Sequence, residues 1–93
     1  MSAVNFETGT PINMTASAAI GLTPGHLLGF YVNSTSGGTI VLRNGGSAGT
    51  AISGTITPAI GFHRYPAYFT SALGGYATIA VAAIDVTFFF AAG

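Results

Sequence analysis

Apolar and polar residues alternate along much of this chain with a period of two. In "LLGFYVNS", Leu28, Phe30 and Val32 fall on one face while Leu27, Gly29, Tyr31 and Asn33 fall on the other. That is the pattern of a half-buried strand, whose successive side chains point to opposite sides. "GTIVLRN" sets Ile40 and Leu42 against Val41 and Arg43, and "AIDVTFFFA" sets Ile84, Val86, Phe88 and Phe90 against Asp85, Thr87 and Phe89. Turn formers divide these runs at short intervals: Pro24-Gly25, Ser36-Gly37-Gly38, Asn44-Gly45-Gly46, Pro58, Pro66 and Gly74-Gly75.

The pattern predicts strands at approximately Thr15 to Leu22, Leu27 to Ser34, Gly38 to Asn44, Thr50 to Thr57, Gly61 to Tyr65, Ala67 to Ser71, Tyr76 to Val81 and Ile84 to Ala91. Short strands in this number fit an all-β fold, a small antiparallel, jelly-roll-like β-sandwich of two packed sheets. The alanine-rich "TASAAIGL" competes as a helix, but Gly21 and Pro24 leave it hardly two turns. Residues 1–11 have no clear period and read as an N-terminal arm that docks on a neighbour, leaving 12–93 as a single sandwich domain. "RNGGSAGT" lacks the G-K-[ST] ending of a phosphate loop and reads as the turn of a hairpin.

Composition changes the picture of the surface. Hydrophobic residues make up 49% of the 93 and charged ones 4%, against about 25% charged in an ordinary soluble domain. Lysine is absent, and the charges are Glu7, Arg43, Arg64 and Asp85, for a formal net charge of zero. A surface with so little charge is expected to be covered largely by other protein. Two arginines are too few to neutralise a run of phosphates, so no nucleic-acid partner is expected. Residues 65–84 carry no charge, yet Pro66, Gly74-Gly75 and many β-branched residues argue against a membrane span. The start "MSAVNFETGT" has neither a basic region nor an apolar core of a signal peptide, so use without Sec export is expected.

Little in the chain suggests catalysis. Serines, His26, His63 and Asp85 occur, but no G-x-S-x-G elbow places a nucleophile, and no H-x-H or H-E-x-x-H spacing gathers a metal site. There is no cysteine. The expectation is a protein that is not an enzyme and needs no cofactor or metal. Asn13-Met14-Thr15 and Asn33-Ser34-Thr35 match the glycosylation sequon and, without a secretion signal, read as coincidence in a threonine-rich chain.

Two features point to contacts. "GFHRYPAYF" concentrates Phe62, His63, Arg64, Tyr65, Tyr68 and Phe69, and aromatics with arginine dominate interface hot spots. The competing reading makes Phe62 and Tyr68 ordinary core. Asp85 stands in the most apolar strand, where an acid needs a partner or solvent. Either Arg43 or Arg64 pairs with it, within the subunit or across a contact, or it lies on the exposed face of an edge strand.

The segments "GFYVNSTSGGTIVLRNGG" and "GTAISGTITPAIGFHRYPAYFTSALGGYATIAVAAIDVTFFF" carry a resemblance. The order of a "GTIVL" strand, a "TPAIGFHRYP" segment, an aromatic followed by a Gly-Gly-Tyr turn and a closing "IDVTFFF" strand resembles small structural proteins of tailed bacteriophages, of the kind met in marine and environmental phages. The matching positions are Gly38 to Leu42, Thr57 to Pro66, Phe69 to Tyr76 and Ile84 to Phe90. The resemblance implies a head decoration or cement protein, made in the host cytoplasm and seated on the virion head. Its partners would be the major capsid protein and copies of itself, a trimer being favoured. It supplies no catalytic residues. A tail-fibre or spike module that binds a receptor is the alternative, marked by a cleft lined with His26, His63, Arg64 and tyrosines. A small holin-like membrane protein is the second alternative.

Overall fold

A computed structural model describes residues 9–93, so the expected arm lies outside the described residues as far as residue 8. The alternating segments are strands: β1 (Thr10–Met14), β2 (Ala18–Gly21), β3 (Gly25–Thr35), β4 (Thr39–Asn44), β5 (Thr50–Ala51), β6 (Gly61–Phe69), β7 (Gly75–Ala80) and β8 (Ile84–Ala92). Among the described residues there is no helix, so none is long and apolar enough to cross a membrane.

The first strand pairs with the last, the second with the seventh, the third with the sixth and the fourth with the fifth, all antiparallel. The chain is thus one long hairpin whose tip is the glycine turn after Asn44. Additional β3–β8 and β4–β7 pairing rolls this hairpin into two four-stranded sheets, ordered β1-β8-β3-β6 and β2-β7-β4-β5. That order is an eight-stranded jelly roll, as the spacing of strands and turns suggested.

Between the sheets lie Met14, Ile20, Leu27, Phe30, Val32, Ile40, Leu42, Phe69, Ala77, Ile84, Val86, Phe88 and Phe90. Every inward residue expected on β4 and β8 is there. Strand β3 differs. Leu27 is buried together with Phe30 and Val32, and Leu28 is not, because the register with β8 shifts between Leu27 and Gly29. One extra residue on β3 reverses the phase, since side chains alternate strictly from face to face.

Three other boundaries depart from expectation for local reasons. The run from Thr15 to Leu22 is divided, because the chain crosses between sheets at residues 15–17, where Ser17 Oγ accepts from Ile79 N at 2.8 Å and replaces a ladder partner. β1 begins at Thr10, two residues inside the expected arm. The predicted strand from Thr50 to Thr57 shrinks to two residues. Ser53 Oγ takes the Leu42 N–H at 2.9 Å, and pairing resumes only at Ile56, whose N–H donates to Ile40 O at 2.9 Å. Finally, Pro66 does not end a strand. β6 is an edge strand, and the β3–β6 register shifts where Leu27 pairs with Ala67 and Gly29 with Arg64, so the missing N–H is tolerated.

The sheets close tightly at one end because aromatic rings occupy gaps left by glycines. The Phe90 ring fills the space where a side chain on Gly21 or Gly25 would sit, and the Phe69 ring does so at Gly75. These two rings lie 6.4 Å apart and stacked. At the opposite end, Val81 stands in the β7–β8 turn with φ 73° and 86% exposure. A β-branched residue at positive φ is strained, and nothing buried compensates for it here.

Two stability predictions follow from this packing. Gly75→Ala drives a methyl into the Phe69 ring and is expected to lower unfolding free energy by about 1–3 kcal/mol. Val81→Asn, which suits positive φ and gives up no buried surface, is expected to raise it by about 1 kcal/mol. Denaturant midpoints at unchanged slope measure both; equal midpoints for Gly75→Ala and the native chain would show that Phe69 has room to move.

Candidate interaction surface

Strict alternation along β6 divides "GFHRYPAYF" between two environments. Phe62, Arg64, Pro66 and Tyr68 point outward, while His63, Tyr65, Ala67 and Phe69 turn toward the core. Phe69 is fully buried and cannot meet a partner. Tyr65 is half-buried against Phe30, with ring centroids 6.5 Å apart. His63 lies against Phe30 at 5.2 Å, and its Nε2 is 2.8 Å from the Ala59 carbonyl oxygen. The core reading of Phe62 and Tyr68 is therefore reversed, at 56% and 45% exposed.

The outward half of β6 joins a continuous surface on the β1-β8-β3-β6 sheet. Phe62 extends across Gly29, which has no side chain to obstruct it, and reaches Phe89 on β8 with centroids 6.2 Å apart. Tyr31, 43% exposed, stands beside them, paired in register with Phe62 and Thr87. This aromatic centre is flanked along the strands by two different ends.

One end is polar. Asp85 lies on the outer face of β8, an inner strand flanked by β1 and β3, so the edge-strand reading does not hold. Neither arginine partners it within the chain. Its Oδ1 accepts from Asn13 Nδ2 at 2.7 Å and from Asn33 Nδ2 at 3.2 Å, and both amides also reach Thr87 Oγ1, at 3.1 and 3.3 Å. The asparagines of the two sequons thus converge on one carboxylate. Arg43 lies on the other sheet, where its Nε donates to Thr78 Oγ1 at 3.0 Å and Nη1 to Gly49 O at 3.1 Å. It clasps the hairpin tip.

The other end is a cleft of about 370 Å³ lined by His26, Leu27, Leu28, Arg64, Pro66, Ala67 and Tyr68. His26 and Tyr68 pair across β3 and β6 with ring centroids 4.7 Å apart. Arg64 has no hydrogen-bond or ion-pair partner among the described residues. The cleft unites His26 with Arg64 and Tyr68 from the sequence expectation; His63 is excluded by its inward orientation. Sequence reasoning left Leu28 out because the β3 bulge that frees it has no signature beyond Gly29.

Asp85 and His26 are not neighbours. His26 pairs with Ala91 and Asp85 with Ser34, six residues apart along β8, or roughly 20 Å at ~3.3 Å per residue. Among the described residues no group of three or more His, Cys, Asp or Glu gathers to hold a metal ion. The outer face of the second sheet carries Thr39, Val41 and Thr78 together with Arg43 and its register partner Tyr76. Its one aromatic ring among the described residues stands apart from any other on that face, whereas on the first sheet Phe62 and Phe89 meet.

No protein-family model matches the chain, and neither the curated proteins nor the solved structures contain a match. The fold defines it as a small jelly-roll β-sandwich with one aromatic outer face.

Removing the carboxylate by Asp85→Ala takes the charged acceptor from two amides and leaves them Thr87 Oγ1 in a partly solvated site. A loss of about 1 kcal/mol in unfolding free energy is expected, with the β spectrum retained. An unchanged denaturant midpoint would show that water takes over the acceptor role.

Proposed function

We propose that this chain is a non-enzymatic structural protein of a bacteriophage virion, which decorates and stabilises the head by burying its outer sheet face against shell subunits and its own copies. One observation carries the reading. Phe62, Tyr31 and Phe89 form a contiguous aromatic patch on a protein with almost no charge to solvate it. Aromatic anchors of this kind sit at the centre of interfaces. The order of segments resembling tailed-phage structural proteins gives the patch its partner, the major capsid protein, and three-fold lattice positions favour a trimer. The mechanism is additive contact: about 800 Å² buried per partner, repeated over a symmetric shell, yields large avidity.

A recognition module on a tail fibre or spike is the second reading, favoured by the cleft over Arg64 and Tyr68. Copy number separates the two. Mass spectrometry of purified virions is expected to find hundreds of copies per particle for a head protein and a handful for a tail module; absence from the particle would end both. The patch has its own test. Phe62→Glu is expected to keep the β spectrum while weakening head binding by roughly thirtyfold, as loss of an anchor worth ~2 kcal/mol does. Full occupancy of heads by Phe62→Glu would remove the patch from the contact.

A further inference from the structure

The cleft deepens the recognition reading into a ligand class. We propose that it binds a carboxylated sugar residue, the hexuronic acid unit of an acidic glycan. The walls of the cleft, about 370 Å³, combine a cation with an aromatic ring over a floor of Leu28, Pro66 and Ala67. That volume lies at the lower end of the ~300–1,000 Å³ typical of small-ligand sites.

Each wall has a defined chemical task. Arg64 is the only other arginine besides Arg43, and Arg43 is committed to Thr78 and Gly49 on the opposite sheet. The Arg64 guanidinium, without a partner among the described residues, offers its planar pair of N–H groups to a carboxylate. Asp85, the acid among the described residues, lies at the far end of the same face and does not compete. Tyr68 presents an exposed ring held against His26, a platform for the C–H face of a pyranose. The apolar floor suits a ring with one hydrophobic side better than a bare inorganic anion, which has none.

An acidic peptide is disfavoured by the backbone. A peptide docking beside β6 would add a strand and need a regular row of donors and acceptors along the edge. Pro66 removes a donor at the cleft itself, and the β3–β6 register shifts there. The cleft is therefore a depression for one ring rather than a groove for a strand. The bulge that moves Leu28 out of the core is what opens it.

The experiment uses the purified full chain and needs no particle, so its failure is separable from failure of the virion assignment. Backbone amide shifts are followed in titrations with glucuronate, an oligoglucuronate, glucose, acetate and a Glu-rich peptide. Glucuronate and its oligomer are expected to shift residues of β3 and β6 around the cleft. Glucose and acetate, each carrying half of the chemistry, are expected to bind roughly tenfold more weakly or less. Arg64→Gln and Tyr68→Ala, both at exposed positions, are each expected to weaken glucuronate about tenfold or more while retaining the amide spectrum of a folded sandwich; Val81→Asn, at the opposite end of the fold, is expected to bind as the native chain does. Equal binding of glucose and glucuronate, acetate as strong as the sugar acid, tighter binding of the peptide, or an unchanged Arg64→Gln would each overturn the proposal.

Discussion

Two phenylalanine rings set into glycine gaps hold the sheets together at one end, and the rest of the fold depends on that fit. Stacked sheets ordinarily lie about 10 Å apart, a spacing set by the side chains between them. At Gly21, Gly25 and Gly75 there is no side chain, so Phe90 and Phe69 occupy the space instead. Phe90 on the last strand fills the gaps at Gly21 and Gly25 in the first half of the long hairpin and stacks on Phe69 of the edge strand β6, so the two halves meet at the same height. Once it is made, the inward phase of β6 and β8 is decided. A slip of one residue would carry Phe88, Val86 and Ile84 outward together, which their burial forbids.

That rigid phase explains why the irregularities of the first sheet fall on β3. Strand β8 supplies four consecutive inward positions without interruption, and β6 alternates without interruption from Gly61 to Phe69. The strand between them absorbs the mismatch, gaining a residue relative to β8 at Leu27/Gly29 and losing one relative to β6 at the same place. The adjustment has two consequences on the outer face. Gly29 leaves a bare stretch that Phe62 crosses to meet Phe89, and Leu28 is released to line a cleft beside Pro66. The aromatic patch and the cleft are both products of one bulged strand.

Much of this architecture was legible in the sequence, for a physical reason. Where one face is buried and the other solvated, period-two alternation is enforced residue by residue, and β4 and β8 show it plainly. Glycine and proline clusters mark the turns because few other residues accept those backbone conformations; Gly45 and Gly74, at φ 116° and 79°, are of this kind. What escaped was decided by long-range pairing. Nothing local distinguishes Thr10–Met14 from an arm, because its identity as a strand comes from pairing with β8 more than seventy residues later. Likewise Pro66 is a breaker in isolation and an ordinary residue on an edge strand. An acid in an apolar strand points to opposite charge, whereas two asparagine amides, from β1 and β3, satisfy the Asp85 carboxylate where the three strands meet.

The same alternation separates stability from recognition along a single nine-residue strand. On β6, the residues that hold the sandwich closed, Tyr65 and Phe69, interleave with those that face outward, Phe62, Arg64 and Tyr68. A segment that reads as one aromatic cluster in sequence is therefore two functional sets in space, with different tolerance to change. Substitutions at the inward set act through packing, and any effect on a partner is secondary to lost stability. Substitutions at the outward set leave the core untouched, so their effects report on contacts directly. A chain this poor in charge has few other side chains with which to specify a partner, and it concentrates them on the face where the backbone has already been bent.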